Sequence, residues 1–117
     1  MRAQTPKPVR FIGRALDELR DFPEEARGDA GHHIYLVQIG DTPPGAKSMS
    51  DIGRGVWEIR IAENDSWYRV LYVAELAGKV CILHCSRKKS NQTPNIALET
   101  GRKRYRQAVD ESAIRTS

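Results

Sequence analysis

The stretch from Val56 to Pro94 decides the fold, and it reads VWEIRIAENDSWYRVLYVAELAGKVCILHCSRKKSNQTP. In several places its apolar residues recur at every second position, which is the period of a half-buried β-strand. Asn64-Asp65 and Ala77-Gly78-Lys79 interrupt the pattern with residues that favour tight turns. We therefore predict three neighbouring strands: one that begins at Val56, one from Trp67 to Ala74 and one from Val80 to Cys85.

The first two of these strands differ in how their side chains are distributed. In the first, Trp57, Ile59 and Ile61 alternate with Glu58 and Arg60, which predicts one buried face and one polar face. The second is apolar on both sides, so we expect it to lie in the centre of the sheet and to be covered on both faces.

The N-terminal half changes to helical periodicity after a short strand at Val9 to Ile12. Apolar residues from Gly13 to Phe22 recur at helical spacing and predict a first helix. Pro23 suits the first turn of a second helix, and Gly40 suits its end. We expect the two helices to form a hairpin on one face of the sheet.

The remaining segments are a loop and a final helix. Asp41 to Gly55 is rich in proline, glycine and small polar residues and is predicted to be a loop. Thr93 is suited to cap a helix that Pro94 opens. Gly101 lies inside this helix at a cost of about 1 kcal/mol relative to alanine, so we expect a weak helix unless something packs on it. Its apolar stripe is Leu98, Gly101, Tyr105 and Ala108.

These elements predict a single α+β domain over residues 1–117, with residues 1–7 as a loose arm. The sheet is expected to be small and dominated by antiparallel pairs. No apolar run approaches the roughly 20 residues that span a bilayer, and the N-terminus has no apolar signal region. We therefore expect a cytoplasmic protein without a membrane association.

Charge is distributed unevenly along the chain, whose net charge is +4 and whose pI is about 9.3. Residues 1–53 contain 7 Lys or Arg against 8 Asp or Glu, whereas residues 54–117 contain 12 against 7. An excess of cations in one half favours a phosphate-bearing partner, although a solvated basic surface has the same composition.

Arg69 lies in the middle of the apolar strand WYRVLYV. A guanidinium stays charged at any working pH, so its burial without a partner is costly. Two interpretations remain open: a salt bridge, to Glu58 or Glu75, or an anion site on the face of the sheet.

Further cations surround the same region. Arg60 shares a polar face with Glu58 and forms either an exposed ion pair or part of a binding site. Arg87, Lys88 and Lys89 follow the third strand just before a helix begins, and helix N-termini attract phosphate. The predicted loop adds Lys47 and Arg54 as candidates for RNA binding.

His84 can titrate near neutrality, so it is a candidate for proton transfer, although a histidine within a strand is more often a core residue. Cys81 and Cys85 are expected to share one face as reduced thiols, with His84 on the other, which argues against zinc. The chain contains no glycine-rich nucleotide motif, so we expect neither a metal nor a cofactor.

The element order and the motifs VWEIRI, WYRVLYV and LHCSRKKSNQTP resemble the RelE/HigB superfamily of toxins, in particular its phage-derived HigB-like branch. The resemblance extends from about Val9 to Glu111. It implies a RelE-like fold and a ribosome-dependent, metal-independent mRNA interferase. It also implies a cognate helix-turn-helix antitoxin as partner, besides the ribosome and mRNA.

The resemblance further implies that Arg69 contacts the scissile phosphate while Arg60 and the Lys88-Lys89 pair surround the RNA backbone. In this reaction the 2′-hydroxyl attacks the adjacent phosphate, and fixed cations stabilise the charge that develops. Arg69, assisted by Arg60 and Lys89, is the candidate for this role. Glu58 and His84 are the candidates for general base and general acid.

Two other classes of function fit the same sequence. The first is a catalytically inactive module of the same fold that binds RNA or an antitoxin. The second is a phage structural protein. In a toxin, we expect the antitoxin to cover either Arg69 and Lys88 or the helical hairpin.

Overall fold

The computed structural model of the chain describes residues 5–88 and 95–116 and shows an α+β fold. None of the helices in this part of the chain is long and apolar enough to cross a membrane. In chain order the elements are β1 (Val9–Phe11), α1 (Ala15–Arg20), α2 (Glu24–Gln38), β2 (Lys47–Ser48), β3 (Val56–Glu63), β4 (Ser66–Leu76), β5 (Lys79–Lys88) and α3 (Asn95–Thr116).

The strands form one mixed sheet in the order β1-β5-β4-β3-β2. β1 runs parallel to β5, and the other neighbouring strands are antiparallel. The strand that is apolar on both sides, β4, is the middle one, as predicted. Burial of apolar side chains on both of its faces explains why this sequence does not alternate.

Helices α1 and α2 cover one face of the sheet. Leu19 of α1, Phe22 in the turn after it and Ile34 of α2 pack in one cluster with Val70 and Ile82 of the sheet. We call this side the α1/α2 face. The end of α2 also agrees with the sequence, since Gly40 follows it with a φ of +92°, a conformation that glycine adopts without steric cost.

Helix α3 covers the opposite face, which we call the α3 face. Its Ala108 is buried with Leu71 and Leu83, and Leu98 packs against the same cluster. The glycine in this helix is explained by the packing, because a Cβ at Gly101 would lie 2.8 Å from the Leu71 Cδ1 atom. The glycine therefore permits a close approach to the sheet, and the sheet supplies the packing that this weak helix requires.

Three local predictions need correction. Cys81 and Cys85 lie in different cores, because a register shift in the β4–β5 ladder breaks the alternation between them. Lys7 is not loose, since its backbone N–H donates to the Gln38 carbonyl at 2.9 Å. The predicted loop contains the short strand β2, at Lys47–Ser48. The expected cap at Thr93-Pro94 lies outside the described residues.

Candidate nucleic-acid interface

The register of the sheet brings several ionisable side chains to the α3 face. Residues directly opposite each other on paired strands point to the same face. Arg60 is opposite Arg69, and Lys47 is opposite Glu58. Lys88 is opposite Trp67, which is two residues before Arg69 on β4 and therefore points to the same face. We call this set the cationic face: Lys47, Glu58, Arg60, Arg69 and Lys88.

Glu58 is the centre of this set. Its Oε1 atom accepts hydrogen bonds from Arg69 Nη1 and from Arg60 Nε, each at 2.9 Å. Glu58 is fully buried and Arg69 is 1% exposed, whereas the side chain of Arg60 is 27% exposed. One carboxylate thus joins a buried guanidinium to one that reaches the surface.

This geometry corrects two expectations. The anion-site interpretation requires Arg69 on an open face, but Arg69 is buried, and the alternative, an ion pair with Glu58, is the one that forms. The alternation in β3 predicts a polar face, yet Glu58 on that face is inaccessible to solvent. Both side chains are buried in this conformation, and their contact with substrate stays a prediction.

Arg87 is separated from the cationic face. It is opposite Tyr68, whose side chain belongs to the core under α1 and α2, so Arg87 points to the α1/α2 face. Its Nε and Nη2 atoms lie 3.0 and 2.9 Å from Ser66 Oγ, and its guanidinium lies 5.9 Å from the centroid of the Tyr68 ring. Adjacent residues of a strand point to opposite faces, so Arg87 and Lys88 diverge, whereas the sequence suggested one cluster. Lys89 lies outside the described residues.

His84 belongs to a second polar network, which joins three elements. Its Nδ1 atom lies 2.9 Å from Oε1 of Glu18 in α1, and the same oxygen accepts from Arg104 Nη1 at 2.7 Å and from the Cys85 N–H at 3.1 Å. Burial alone would raise the pKa of Glu18, but these hydrogen bonds outweigh it and lower the pKa to about 2. Glu18 is therefore the carboxylate that contacts His84, whereas Glu58 pairs with the two arginines Arg60 and Arg69.

Local sequence contains no signal of this network. Glu18 and Arg104 are 86 positions apart, and each resembles an ordinary surface charge of a helix. Only the packing of α1 and α3 against β5 brings them together with His84.

The two loop cations differ in position. Lys47 is exposed next to the pair of Glu58 and Arg60, on the cationic face. Arg54 is exposed on the loop before β3, and its backbone carbonyl accepts a hydrogen bond from the Tyr105 hydroxyl at 3.1 Å.

Comparisons with known proteins give a family and a structural neighbour. A family model described as "Phage derived protein Gp49-like (DUF891)" matches residues 17–106. A similar solved structure is the toxin–antitoxin complex RelBE2 from Mycobacterium tuberculosis, with a TM-score of 0.49 and 20% identity, covering 74% of this chain and 95% of that chain. The comparison with curated proteins gives no match.

Proposed function

The chain belongs to the Gp49-like family of phage-derived proteins, and on that premise we propose that it is the toxin of a type II toxin–antitoxin system. In this proposal it cleaves mRNA on the ribosome and is held inactive by a helix-turn-helix antitoxin. The motifs of β3, β4 and the end of β5, which resemble RelE/HigB toxins, support the assignment.

The cationic face is the observation that carries the proposal. Its four cations and one carboxylate have a net charge of +3 on one side of a small sheet. Arg60 and Lys88 are partly exposed and Lys47 is exposed there. A cluster of this kind matches a polyanion, and rigid cations stabilise a pentacoordinate phosphate better than its ground state.

Because Glu58 and Arg69 are buried as an ion pair, the residues of the cationic face have different proposed roles. Arg60 is the group that we propose to contact the scissile phosphate, with Lys88 and Lys89 on the flanking backbone. Glu58 fixes the Arg60 guanidinium, and Arg69 fixes Glu58, so both are positioning residues. A guanidinium that is already oriented loses less entropy when it binds a phosphate oxygen.

In the reaction itself, the 2′-hydroxyl of one nucleotide attacks its own 3′-phosphate and the 5′-oxygen of the next nucleotide leaves. The products are a 2′,3′-cyclic phosphate and a 5′-hydroxyl end. The proton of the 2′-hydroxyl passes to a base, and the leaving oxygen takes up a proton. The ribosome is proposed to hold the nucleotides in line, an effect that can supply several kcal/mol.

The experiment is induced expression with primer extension on cellular mRNA. We expect growth arrest and new 5′ ends for the wild type, and a loss of about 100-fold in cleavage for Arg60→Ala, the order found when one transition-state donor is removed. Lys88→Ala should also weaken cleavage. Lys79→Ala is the matched control, because Lys79 is at the opposite end of the same strand. Full cleavage by Arg60→Ala would contradict the assignment.

A second candidate function is an inactive module that binds RNA or an antitoxin. It is favoured by one observation: both predicted proton-transfer groups are engaged, Glu58 by two guanidinium groups and His84 by Glu18. Growth arrest without new mRNA ends, or RNA binding without growth arrest, would select this function over the nuclease.

A further inference from the structure

A second concave site lies between α3 and the turn that precedes α1. It is a cavity of about 300 Å³. Among the described residues, arginine, lysine, glycine, threonine and glutamine line it, without an aliphatic, aromatic or carboxylate side chain. The lining residues are Gly13, Arg14, Thr100, Lys103, Arg104 and Gln107.

The four residues that α3 contributes form one stripe. Thr100, Lys103, Arg104 and Gln107 are spaced i, i+3, i+4 and i+7, the spacing that places residues on one side of a helix. Each of these side chains has a donor group that can bind a phosphate oxygen. The stripe adjoins the apolar stripe of α3, and its Arg104 also contacts the sheet through the Leu83 carbonyl.

The arginine at the centre of this cavity is fixed in place. Arg104 Nη1 donates to Glu18 Oε1 at 2.7 Å and to the Leu83 carbonyl at 3.1 Å, and its side chain is 13% exposed. Gly13 makes room for it: the glycine has a φ of +58°, and a Cβ there would lie 3.1 Å from Arg104 Nε. The wall of the cavity is therefore preorganised.

The two other cations of the cavity are at its edges. Lys103 is exposed, and the side chain of Arg14 is 77% exposed, with a long contact of 3.9 Å to Asp17. An exposed pair of this length contributes little and does not hold the arginine away from a ligand. Arg14 and Lys103 can therefore both approach an anion bound against Arg104.

We propose that this cavity, which we call the α1–α3 groove, binds the phosphate backbone of RNA at a second place, separate from the cationic face. The helical stripe offers donors along a line, which suits a chain of phosphates. Another cavity beside α1 differs, since Glu18 and Asp21 are among its lining residues. RNA is chosen as the polyanion on the basis of the proposed function.

The test is the binding of a short fluorescein-labelled single-stranded RNA, measured by anisotropy at several salt concentrations. The variants are Lys103→Ala and the double variant Arg14→Ala/Lys103→Ala, each also combined with Lys88→Ala. Lys103→Arg is the conservative variant, and Lys79→Ala is the control. Circular dichroism of each variant checks that it is folded.

We expect the double variant to bind RNA at least several-fold more weakly. The slope of log K against log salt should fall by about 0.7 for each phosphate of a single strand that the variant no longer neutralises. Lys103→Arg should bind like the wild type, and the effect should be equally large in the Lys88→Ala background. That additivity would show that the groove and the cationic face bind independently.

Three results would overturn the inference: unchanged affinity and slope in the double variant, an effect that vanishes in the Lys88→Ala background, or a groove that binds poly-glutamate but not RNA. The last would assign the groove to an acidic protein segment. A different observation would contradict the proposed function: expression of the wild-type protein without cleavage of mRNA. RNA binding that depends on the groove would stand in that case.

Discussion

The buried ion pair predicts an unequal cost for removing its two members. Glu58→Leu leaves the 1%-exposed Arg69 without its buried carboxylate, and removing one partner of a buried pair costs about 3–5 kcal/mol. Arg69→Met leaves Glu58 still bound to Arg60 at 2.9 Å. It removes the hydrogen bond from Arg69 Nη1 to Glu58 Oε1, and a charged hydrogen bond is worth roughly 1.5–3 kcal/mol. We expect the glutamate variant to be the less stable by about 2 kcal/mol.

Urea unfolding followed by tryptophan fluorescence measures both variants, since Trp57 and Trp67 lie on the same two strands as the pair. The double variant Glu58→Leu/Arg69→Met should lose clearly less than the sum of the single losses, because two apolar side chains replace the pair. Asp17→Ala, which breaks an exposed pair, should change stability by less than about 0.5 kcal/mol. Equal losses for the two single variants, or strict additivity, would refute the role given to Glu58.

Three further predictions concern the rest of the molecule. The folded-state pKa of Glu18 is lowered from 4.5 to about 2. Its contribution to the free energy of unfolding is therefore fully present above pH 4.5 and is lost as the pH falls through 2. Between pH 4.5 and 2, the free energy of unfolding of Glu18→Gln should therefore fall less than that of the wild type, by at most about 3 kcal/mol. Gly53→Ala would place a Cβ 2.5 Å from the Tyr105 ring and should destabilise by roughly 1–3 kcal/mol in urea, whereas Gly28→Ala, in open space on α2, should stabilise by about 0.5–1 kcal/mol. Burial raises the pKa of the Cys85 thiol, so a thiol reagent at about pH 8 should modify this residue only after denaturant is added.

Much of the fold follows from local patterns. The alternation in β3, the apolar run of β4 and the helical spacing before Gly40 predict the correct elements, since each buries its apolar side chains in the way its period dictates. What the local pattern of β3 cannot supply is the burial of the carboxylate on its polar face. Alternation along β3 predicts that Glu58 meets solvent, and the structure instead buries it completely.

Long-range polar contacts also lie beyond the reach of local sequence. Glu18 accepts from side chains that are 66 and 86 positions away, and the residues around each partner carry no sign of the pairing. The break in alternation between Cys81 and Cys85 is equally hidden, because a β-bulge depends on the neighbouring strand.

The hairpin turn between β3 and β4 decides whether the cationic face exists. Glu63 pairs with Ser66, so the loop has only the residues Asn64 and Asp65, and Asn64 has a φ of +56° that asparagine tolerates better than most residues. This short loop fixes the register that sets Arg60 opposite Arg69.

A shift of one residue in that register would turn Arg69 away from its carboxylate, because successive side chains of a strand point to opposite faces. Arg69 would then enter the apolar core under α1 and α2 as an unpaired charge, at a cost that exceeds any gain from altered packing. The buried pair thus stabilises the register, and the register in turn holds the surface-reaching guanidinium of Arg60 where we propose that RNA binds.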